Sequence, residues 1–506
     1  MATCAGAAPS RTVSRLRWLA LVLVALPAAC ATGGSSASGP TPAEASGSTP
    51  SRAAEPVTTE IALATFDTTW NRIARLHYDS TFNGVDWDAV RAALRPQAQT
   101  AGTQAVLREL VTDMLERLGE SHYGLIPAEV ADAMDPATDR TARGGADDGD
   151  LGLELRKVEQ QVVVTRVDEA GPAAAAGVQP GWVLEQLGDR RLADMLERLD
   201  RLEGVEDRIA ETRFAFGVNA LLTGPAGEAE TLRFLDAEDR PVTLELVRRE
   251  RPGEPVRFGN LPTFFAEFSH ERLPAPGVEG DCVGVIRFSV WMLPVSAAFD
   301  RAIDDVRSCA GVVIDLRGNP GGVAGMVMGI AGHFFEEFQP LGIIKQRSAE
   351  LRLVANPRRV SAAGERVEPF GGRVAILTDR ASVSTSEIFA AGMQTQERAR
   401  VFGDTTAGQA LPAVAVRLPN GDVLMHVIAD LTGPDGRRIE GSGVAPDERV
   451  PLTRAGLLAG RDAPLDAALR WITGRPAAST MRVQPARLAG RRISHGPRQR
   501  RWRSEP

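Results

Sequence analysis

The chain has 506 residues, which is too long for a single ordinary hydrophobic core, so we expect two or three domains. A hydrophobic content of 43% and a charged content of 24% are typical of a soluble globular protein. The net charge is −7, but residues 475–506 carry nine arginines and one glutamate, which leaves the rest of the chain at −15. An acidic body without a basic face argues against nucleic acid as a partner, and the basic tail, residues 475–506, is expected to be disordered.

The N-terminus has the three parts of a secretory signal. Three arginines precede an apolar run, Trp18–Leu26, and small residues follow up to Cys30. The run is too short to span a membrane comfortably, so residues 1–30 are interpreted as a signal peptide. A signal peptide predicts export to a bacterial cell envelope or periplasm. Cys30 after two alanines is similar to a lipoprotein cleavage site, but Pro27 departs from that motif, so lipidation and ordinary cleavage both stay open. Residues 31–56 predict a disordered linker, and the only membrane contact expected is an N-terminal lipid.

Residues 57–143 predict an N-terminal helical region. Apolar side chains recur at helical spacing up to Leu118. Gly119 has the conformational freedom of a helix C-cap, which places His122 on the loop after a helix. A lone histidine on a loop usually has no special role.

Residues 144–252 have the pattern of a small β-rich domain. Residues 151–155 and 162–167 alternate as strands, and residues 171–184 predict a turn, a short helix and another strand. A helical insertion is expected at residues 192–222. The pattern resembles a PDZ domain, which binds an extended C-terminal peptide as an added strand. The residues that match the carboxylate-binding loop are Leu151, Gly152 and Leu153. A β-rich domain without a ligand is the alternative.

Residues 253–474 alternate between strands and helices, which predicts an α/β domain. A buried strand from Gly311 ends in a glycine turn at residues 318–322, and a helix is expected over Val323–Phe335. Glycines there let backbone N–H groups approach a ligand at a helix N-terminus. A phosphate loop would need a lysine that is absent, so an oxyanion site and a plain tight turn are the remaining interpretations.

Three serines alternate between a strand, Val374–Leu377, and a following helix. They are Ser382, Ser384 and Ser386. A serine at such a turn has an exposed hydroxyl near backbone N–H groups that can stabilise a developing negative charge. Ser384 and Glu387 also form a capping box, which in most sequences only starts a helix.

The predicted body contains two cysteines, Cys282 and Cys309, each just before a predicted strand. There is no Cys-x-x-Cys pattern or Cys/His cluster, so we expect no metal site. If the two strands are parallel neighbours their starts lie close together, and export makes a disulfide permissible. A disulfide and two buried thiols both stay open.

Three motifs follow the PDZ-like region in a fixed order. They are Asp315–Gly322, Ser382–Ile388 and Glu440–Asp447. In this order they look like the C-terminal processing, or tail-specific, serine peptidases, and the resemblance covers residues 57–472. It implies a mixed α/β fold with a catalytic core related to the Clp protease and crotonase group, and no cofactor.

The resemblance also implies roles for individual residues. The nucleophile matches Ser384. Many members activate it with a lysine, but that position is Gln409 here, and the chain has only two lysines, neither after the serine. A second branch, which includes tricorn protease, uses Ser, His and Glu, and it matches His122 and Glu440. His270 is another predicted loop histidine, without a counterpart in the family. The expected oxyanion donors are the N–H of Thr385 and that of Gly321 or Gly322.

The sequence therefore predicts an exported serine peptidase that works through an acyl-enzyme on Ser384. Neutral imidazole can act as a base near pH 7, and a carboxylate can orient it. The expected partners are proteins or peptides with free C-termini. A catalytically inactive peptide- or ligand-binding protein is the first alternative, and another acyl-transfer enzyme, such as an esterase, is the second.

Overall fold

The computed structural model of the protein describes residues 55–133, 149–200, 207–257, 259–261 and 263–474. The signal segment with Cys30, most of the linker and the basic tail lie outside these ranges. None of the described helices is long and apolar enough to cross a membrane.

The N-terminal region is helical, as predicted. Its elements are α1 (Thr59–Leu76), α2 (Trp87–Gln99), α3 (Gln104–Glu116), β1 (Gly124–Ile126) and α4 (Ala128–Ala133). The first three helices begin at side-chain caps supplied by Thr58, Asp86 and Thr103. Their apolar faces form one core, to which Leu418 and Leu424 from a distant hairpin also belong. The helical region is therefore joined to the C-terminal half through hydrophobic packing.

The second unit is a six-stranded antiparallel sheet with helices against it. Its elements are β2 (Gly149–Asp150), β3 (Leu153–Val158), β4 (Gln161–Val167), α5 (Pro172–Ala175), β5 (Val183–Leu187), β6 (Arg190–Arg191), α6 (Leu192–Asp200), α7 (Asp207–Ala220), β7 (Ala229–Leu235), β8 (Pro241–Val247) and β9 (Arg249–Glu250). The strand order is β3-β4-β5-β7-β8, with β6 on β5, and β2 pairs with β9 near the ends of the unit. The predicted helical insertion corresponds to α6 and α7.

The third unit is built on a sheet in the order β12-β13-β14-β17-β18-β22. Its elements are β10 (Glu254–Val256), β11 (Phe264–Ala266), β12 (Phe268–Pro274), β13 (Cys282–Phe288), α8 (Leu293–Val306), β14 (Gly311–Asp315), α9 (Met326–Ala331), β15 (Gln339–Lys345), β16 (Glu350–Ala355), β17 (Arg373–Thr378), α10 (Thr385–Thr395), β18 (Ala399–Gly403), β19 (Ala413–Arg417), β20 (Val423–Val427), β21 (Asp430–Thr432), β22 (Glu448–Arg449), α11 (Arg454–Leu458) and α12 (Ala463–Thr473). Within this sheet β13, β14, β17, β18 and β22 are parallel to one another, and β12 is an antiparallel edge.

The two central strands of this sheet place the candidate site. Strands β14 and β17 are parallel neighbours, with Asp315 opposite Leu377, and their apolar side chains are buried on both faces. Since parallel strands end at the same edge of a sheet, the glycine turn after β14 and the serine turn after β17 meet there.

The hairpin of β19 and β20 brings the N-terminal region to the same edge. Strand β1 pairs antiparallel with β20, with Gly124 opposite Met425. The loop that carries His122 ends where β1 begins, so this pairing anchors the loop to the C-terminal half.

Cys282 begins β13 and Cys309 lies two residues before β14, and these two strands are parallel neighbours. Cys282 and Cys309 are joined by a disulfide across a sequence separation of 27 residues. In the chain-entropy account, closing a loop of this size stabilises the fold by about 3–4 kcal/mol.

Two local predictions were wrong. His270 lies on strand β12 rather than on a loop, with its Nε2 atom 3.5 Å from Asp305 Oδ2. The helix expected from Val323 begins only at Met326, because the N–H of Val323 donates to Trp291 O and so belongs to the glycine turn.

Candidate active site

The serine turn holds Ser384 in an unusual backbone conformation, with φ 56° and ψ −115°. Such a conformation costs a residue with a Cβ about 1–3 kcal/mol, and strain of this kind clusters at functional sites. Neighbouring serines are used structurally: Ser382 Oγ donates to Leu316 O at 2.8 Å, and Ser386 Oγ donates to Asn319 O at 3.2 Å. Both of these serines are fully buried, whereas Ser384 is half-buried. Of the three, Ser384 is the one that a substrate can reach.

Asn319 fixes the glycine turn against the serine turn. Its fully buried side chain donates from Nδ2 to Phe288 O at 2.9 Å, and its carbonyl accepts from Val383 N at 3.0 Å. Gly321 has φ 94°, and a Cβ there would lie 2.7 Å from Ser384 Cβ. The two turns are therefore in contact at a position that only glycine fits.

The glycine turn corrects one expected oxyanion donor. The N–H of Gly321 already donates to Asn319 Oδ1 at 2.9 Å. In the part of the chain that the structure describes, the N–H groups of Gly322 and Thr385 have no hydrogen-bond partner. Of the two glycines, Gly322 is the one whose N–H is available, together with the N–H of Thr385 in the first turn of α10.

Glu440 contacts Ser121, so its connection to His122 is indirect. Glu440 Oε1 accepts from Ser121 N at 3.1 Å, and Oε2 accepts from Ala410 N at 2.9 Å. Ser121 Oγ lies 2.7 Å from His122 Nδ1. Burial raises the pKa of Glu440, and hydrogen bonds from the side chain and main chain of Ser121 and from Ala410 only partly offset that effect. Ser121 therefore lies between the carboxylate and the imidazole.

The contact between Ser121 Oγ and His122 Nδ1 fits either tautomer of His122, because the hydroxyl can donate or accept. If the Ser121 hydroxyl donates to Glu440, its oxygen accepts the Nδ1 proton of His122, which leaves Nε2 unprotonated. Within the described ranges neither ring nitrogen is hydrogen-bonded to Ser384. Catalytic hydrogen bonds are often formed only when substrate is bound, so the lack of a bond between His122 and Ser384 here is compatible with His122 as a general base.

Burial lowers the pKa of His122 to about 4. The acid limb of kcat/KM is therefore expected near pH 4 rather than near 6.5, the ordinary value for histidine. The same shift means that the unfolded chain binds this proton more tightly, so the stability contributed by neutral His122 is lost as the pH falls from 6.5 to 4. Rates across this window, corrected for the folded fraction at each pH by circular dichroism, test the assignment; an acid limb near 6.5 would contradict it.

Glu387 is buried beside Ser384 and joins the serine turn to the 406–409 loop. Its Oε2 atom accepts from Ser384 N and Gln409 N, each at 3.0 Å, and Oε1 accepts from Gly408 N at 2.7 Å and Thr406 Oγ1 at 2.5 Å. The Glu387 part of the predicted capping box is thus formed, but it also anchors the 406–409 loop. Burial raises the pKa of Glu387 to about 7, although these donors favour the anion.

Gln409 contacts Ser384 through its main chain. Its carbonyl accepts from Ser384 N at 3.0 Å, and its own N–H donates to Glu387. The side-chain Nε2 atom is buried without a hydrogen-bond partner among the described residues. An amide cannot take up a proton near neutral pH, so Gln409 offers no base.

The loop expected to bind a peptide carboxylate is occupied by the protein itself. Gly152 N donates to Asp150 Oδ1 at 3.1 Å, and Arg249 donates to the same oxygen at 3.1 Å. Leu151 is fully buried. A peptide carboxylate at Gly152 N would therefore have to displace Asp150.

The outer edge of β3, which pairs with no other described strand of its sheet, is occupied by a side chain. Asn219 on α7 accepts from Leu155 N through Oδ1 and donates to Leu155 O through Nδ2, each at 2.9 Å. Nδ2 also donates to Ala215 O at 2.6 Å, and since both of its partners are carbonyls the amide orientation is determined. One side chain thus makes the two main-chain bonds that an added peptide strand would make.

The same β-rich unit is bonded to the candidate site. Arg156 on β3 donates from Nε to Asp379 Oδ2 at 2.9 Å, and Asp379 Oδ1 accepts from Gly318 N at 3.0 Å and Ala381 N at 2.9 Å. Asp379 therefore connects both turns, and Arg156 connects Asp379 to the β-rich unit.

Comparison with known proteins finds matching family models and relatives. Residues 282–450 match peptidase family S41, and residues 63–116 match the tricorn protease C1 domain. The chloroplastic C-terminal processing peptidase of Tetradesmus obliquus is 25% identical over 414 residues, which are 78% of this chain and 78% of that protein. The carboxyl-terminal-processing protease of Synechocystis sp. is 24% identical over 413 residues, which are 80% of this chain and 85% of that protein.

Solved structures share the fold. The photosystem II D1 C-terminal processing protease matches with a TM-score of 0.51 and 21% identity, over 80% of this chain and 97% of that one. Mature CPAF complexed with lactacystin matches with a TM-score of 0.50 and 12% identity, over 82% of this chain and 98% of that one. The mixed α/β fold class expected from the sequence is confirmed.

Proposed function

The chain belongs to peptidase family S41, whose C-terminal processing members are serine proteases that hydrolyse peptide bonds, and we propose that its catalytic residues are Ser384, His122 and Glu440. The observation that carries the proposal is that Ser121 contacts both Glu440 and His122, at the sheet edge where Ser384 lies on a strained turn. Its main-chain N–H donates to Glu440 Oε1, and its Oγ lies 2.7 Å from His122 Nδ1. Ser121 is a residue that sequence reasoning missed. The signal available for it was its position directly before the matching histidine.

The proposed mechanism uses ordinary acyl transfer. Nε2 of His122 takes the proton of Ser384 as Oγ attacks the scissile carbonyl, and Thr385 N–H and Gly322 N–H stabilise the oxyanion. His122 then gives that proton to the leaving amine, which departs and leaves the acyl-enzyme. Water, deprotonated by His122, attacks the ester; as the bond to Oγ breaks, His122 returns the proton to Ser384 and the new carboxylic acid product leaves. Glu440, acting through Ser121, stabilises the imidazolium in both steps.

Labelling with a fluorophosphonate probe tests whether Ser384 is an activated nucleophile. Wild type is expected to incorporate one probe per chain on the peptide that contains Ser384, and Ser384→Ala is expected to incorporate none. Ser382→Ala serves as the serine control because its hydroxyl is buried and donated to Leu316 O. No labelling of folded wild type would favour the inactive binding protein. Labelling with turnover of esters but not of peptides would favour an esterase.

The second part of the proposal is that the β-rich unit recognises C-terminal tails after Asn219 has left the edge of β3. The unit's strand and turn pattern is similar to a PDZ domain, and Asn219 makes the main-chain bonds that a tail would make. Such recognition would select peptide substrates by their free carboxylate.

Asn219→Ala is expected to raise the affinity for a free-carboxylate peptide about 5- to 10-fold, since the competing hydrogen bonds contribute about 1 kcal/mol or slightly more. Fluorescence anisotropy with matched free-acid and C-terminal amide peptides measures this effect. Thr223→Ala is the control, because the Thr223 hydroxyl donates to Ala220 O near the same helix end and not to the edge of β3. Equal binding of acid and amide by every variant would end the carboxylate proposal, and weaker binding by Asn219→Ala would show that Asn219 itself contacts the peptide.

The third part is export, with Cys30 as the lipidated first residue of the mature protein. Support comes from the signal pattern at the N-terminus and from the Cys282–Cys309 disulfide, which an oxidising compartment permits. Mass spectrometry of protein purified from membranes is expected to find a lipidated Cys30, and non-reducing peptide mapping the 282–309 pair. An unmodified N-terminus elsewhere would exclude the anchor, and two free thiols would contradict the pairing.

A further inference from the structure

A cluster of polar side chains lies next to the proposed base and its carboxylate. It consists of His77, Tyr78, Glu120 and Arg438, which we call the clamp. Glu120 directly precedes Ser121, and Arg438 lies two residues before Glu440. The clamp therefore joins the same two loops that the Ser121–Glu440 hydrogen bond joins.

The contacts within the clamp are short and converge on one oxygen. Arg438 Nη2 donates to Glu120 Oε1 at 2.8 Å and to the Tyr78 hydroxyl oxygen at 2.6 Å, and the Tyr78 hydroxyl donates to Glu120 Oε1. Arg438 Nε donates to Asp430 Oδ1 at 2.9 Å. Arg438 thus binds one carboxylate from the N-terminal helical region, Glu120, and one from the C-terminal half, Asp430.

The second carboxylate oxygen of Glu120 faces a buried histidine. His77 is fully buried, and its Nε2 atom lies 3.4 Å from Glu120 Oε2. The Glu120 side chain is only 4% exposed. Burial alone would raise the pKa of Glu120, but hydrogen bonding with His77, Tyr78, Asn83 and Arg438 lowers it to about 2. The carboxylate is therefore charged at neutral pH, and Arg438 cannot be replaced by a neutral group without leaving this charge poorly compensated.

The clamp matters because the proposed triad is assembled from two parts of the chain. His122 lies on the loop between α3 and β1, outside regular structure and with φ 61°, whereas Glu440 lies in the C-terminal half. An ion pair with an exposed Arg438, 42% accessible, contributes little to stability on its own. The geometry of the Glu120–Arg438 pair is a different matter, because Glu120 adjoins Ser121 and Arg438 lies two residues before Glu440. A change in this pair would shift Ser121 and His122 relative to Glu440, and small misplacements of catalytic groups lower rates strongly.

We propose that Glu120 and Arg438 are positioning residues that hold Ser121 and His122 against Glu440, and that they govern the rate of acyl transfer rather than substrate binding. This inference rests on the proposed triad.

Arg438→Gln is expected to lower kcat at least tenfold and to leave KM within twofold of wild type. Glu120→Gln is expected to do the same, and the double variant to lose little more than either single one, because both side chains act through one contact. Arg438→Lys retains the charge without the planar fork and is expected to recover part of the rate.

Arg437→Gln is the matched control. Arg437 is the adjacent arginine, its side chain is 80% exposed, and it pairs with Asp435 on its own loop. It is expected to have wild-type kcat. Tyr78→Phe removes only the shared hydroxyl, so it keeps the inference testable if a charge variant fails to fold, and it too is expected to lower kcat with KM unchanged.

Each rate is divided by the fraction of sites that a fluorophosphonate probe titrates, so that unfolded protein is not counted. Wild-type kcat per active site in Arg438→Gln or Tyr78→Phe would overturn the clamp, as would a loss that appears only in KM. Additive losses in the double variant would also overturn it. If His122→Ala is active, the triad itself has failed; if His122→Ala is inactive while Arg438→Gln has full kcat, only the clamp has failed.

Discussion

Ser384→Ala and His122→Ala are each expected to lower kcat by about 10⁴- to 10⁶-fold, and combining them is expected to add little, because nucleophile and base act as one unit. Ser384→Ala removes the attacking oxygen. His122→Ala removes the only proposed acceptor for its proton, since the chain has two lysines and neither follows the serine. Single-turnover rates on a peptide substrate measure both effects. Additive losses would show that the two residues do not share one step.

Gln409→Ala distinguishes His122 as the base from a base at position 409, where the resemblance to the family would place a lysine. The contacts of Gln409 with Ser384 and Glu387 run through its main chain, so alanine retains them. The variant is therefore expected to keep substantial activity, whereas Glu440→Gln is expected to lose activity severely, though less than His122→Ala. An inactive Gln409→Ala beside an active His122→Ala would mean that His122 is not the base.

The sequence could predict the parts of this site that depend on local pattern and on strand order. A buried apolar strand followed by glycines, and another followed by serines, predict two turns at one sheet edge, and the observed pairing of β14 with β17 has that result. His122 and Glu440 carry no comparable local signal. They became candidates only through the family resemblance, because the pairing of β1 with β20 that brings His122 near the site is long-range.

Hydrogen bonds made by single side chains could not be predicted. That Ser121 lies between Glu440 and His122 depends on rotamers and loop conformation, not on spacing. The use of the Gly321 N–H by Asn319 is of the same kind. Asn219 lies on a helix whose pattern indicates only packing, yet its amide binds the edge of β3. In each case the decisive fact is which donor already has a partner in the folded chain.

The glycine turn is the second place where a large effect is expected. Gly322 has φ 143°, and a Cβ there would collide with Trp291 O, while a Cβ at Gly321 would lie 2.7 Å from Ser384 Cβ and 2.9 Å from Thr385 N. Either substitution forces backbone to move, because the obstructing atoms are not the ends of flexible side chains. The movement would displace the proposed oxyanion donors from the position where negative charge develops.

Gly321→Ala and Gly322→Ala are therefore expected to lower kcat by about 10²- to 10³-fold, the usual effect of losing one oxyanion donor. Gly329→Ala on α9 is the control: nothing lies within 4 Å of a Cβ there, and alanine favours a helix, so activity and stability should be retained. Rates per titrated active site, together with thermal unfolding, distinguish loss of catalysis from loss of fold. We expect both glycine variants to be acylated more slowly by a substrate, while the fluorophosphonate probe still titrates their active sites. Wild-type kcat in folded Gly322→Ala would show that this turn does not hold the oxyanion, and would leave Thr385 N–H as the remaining donor from the present pair.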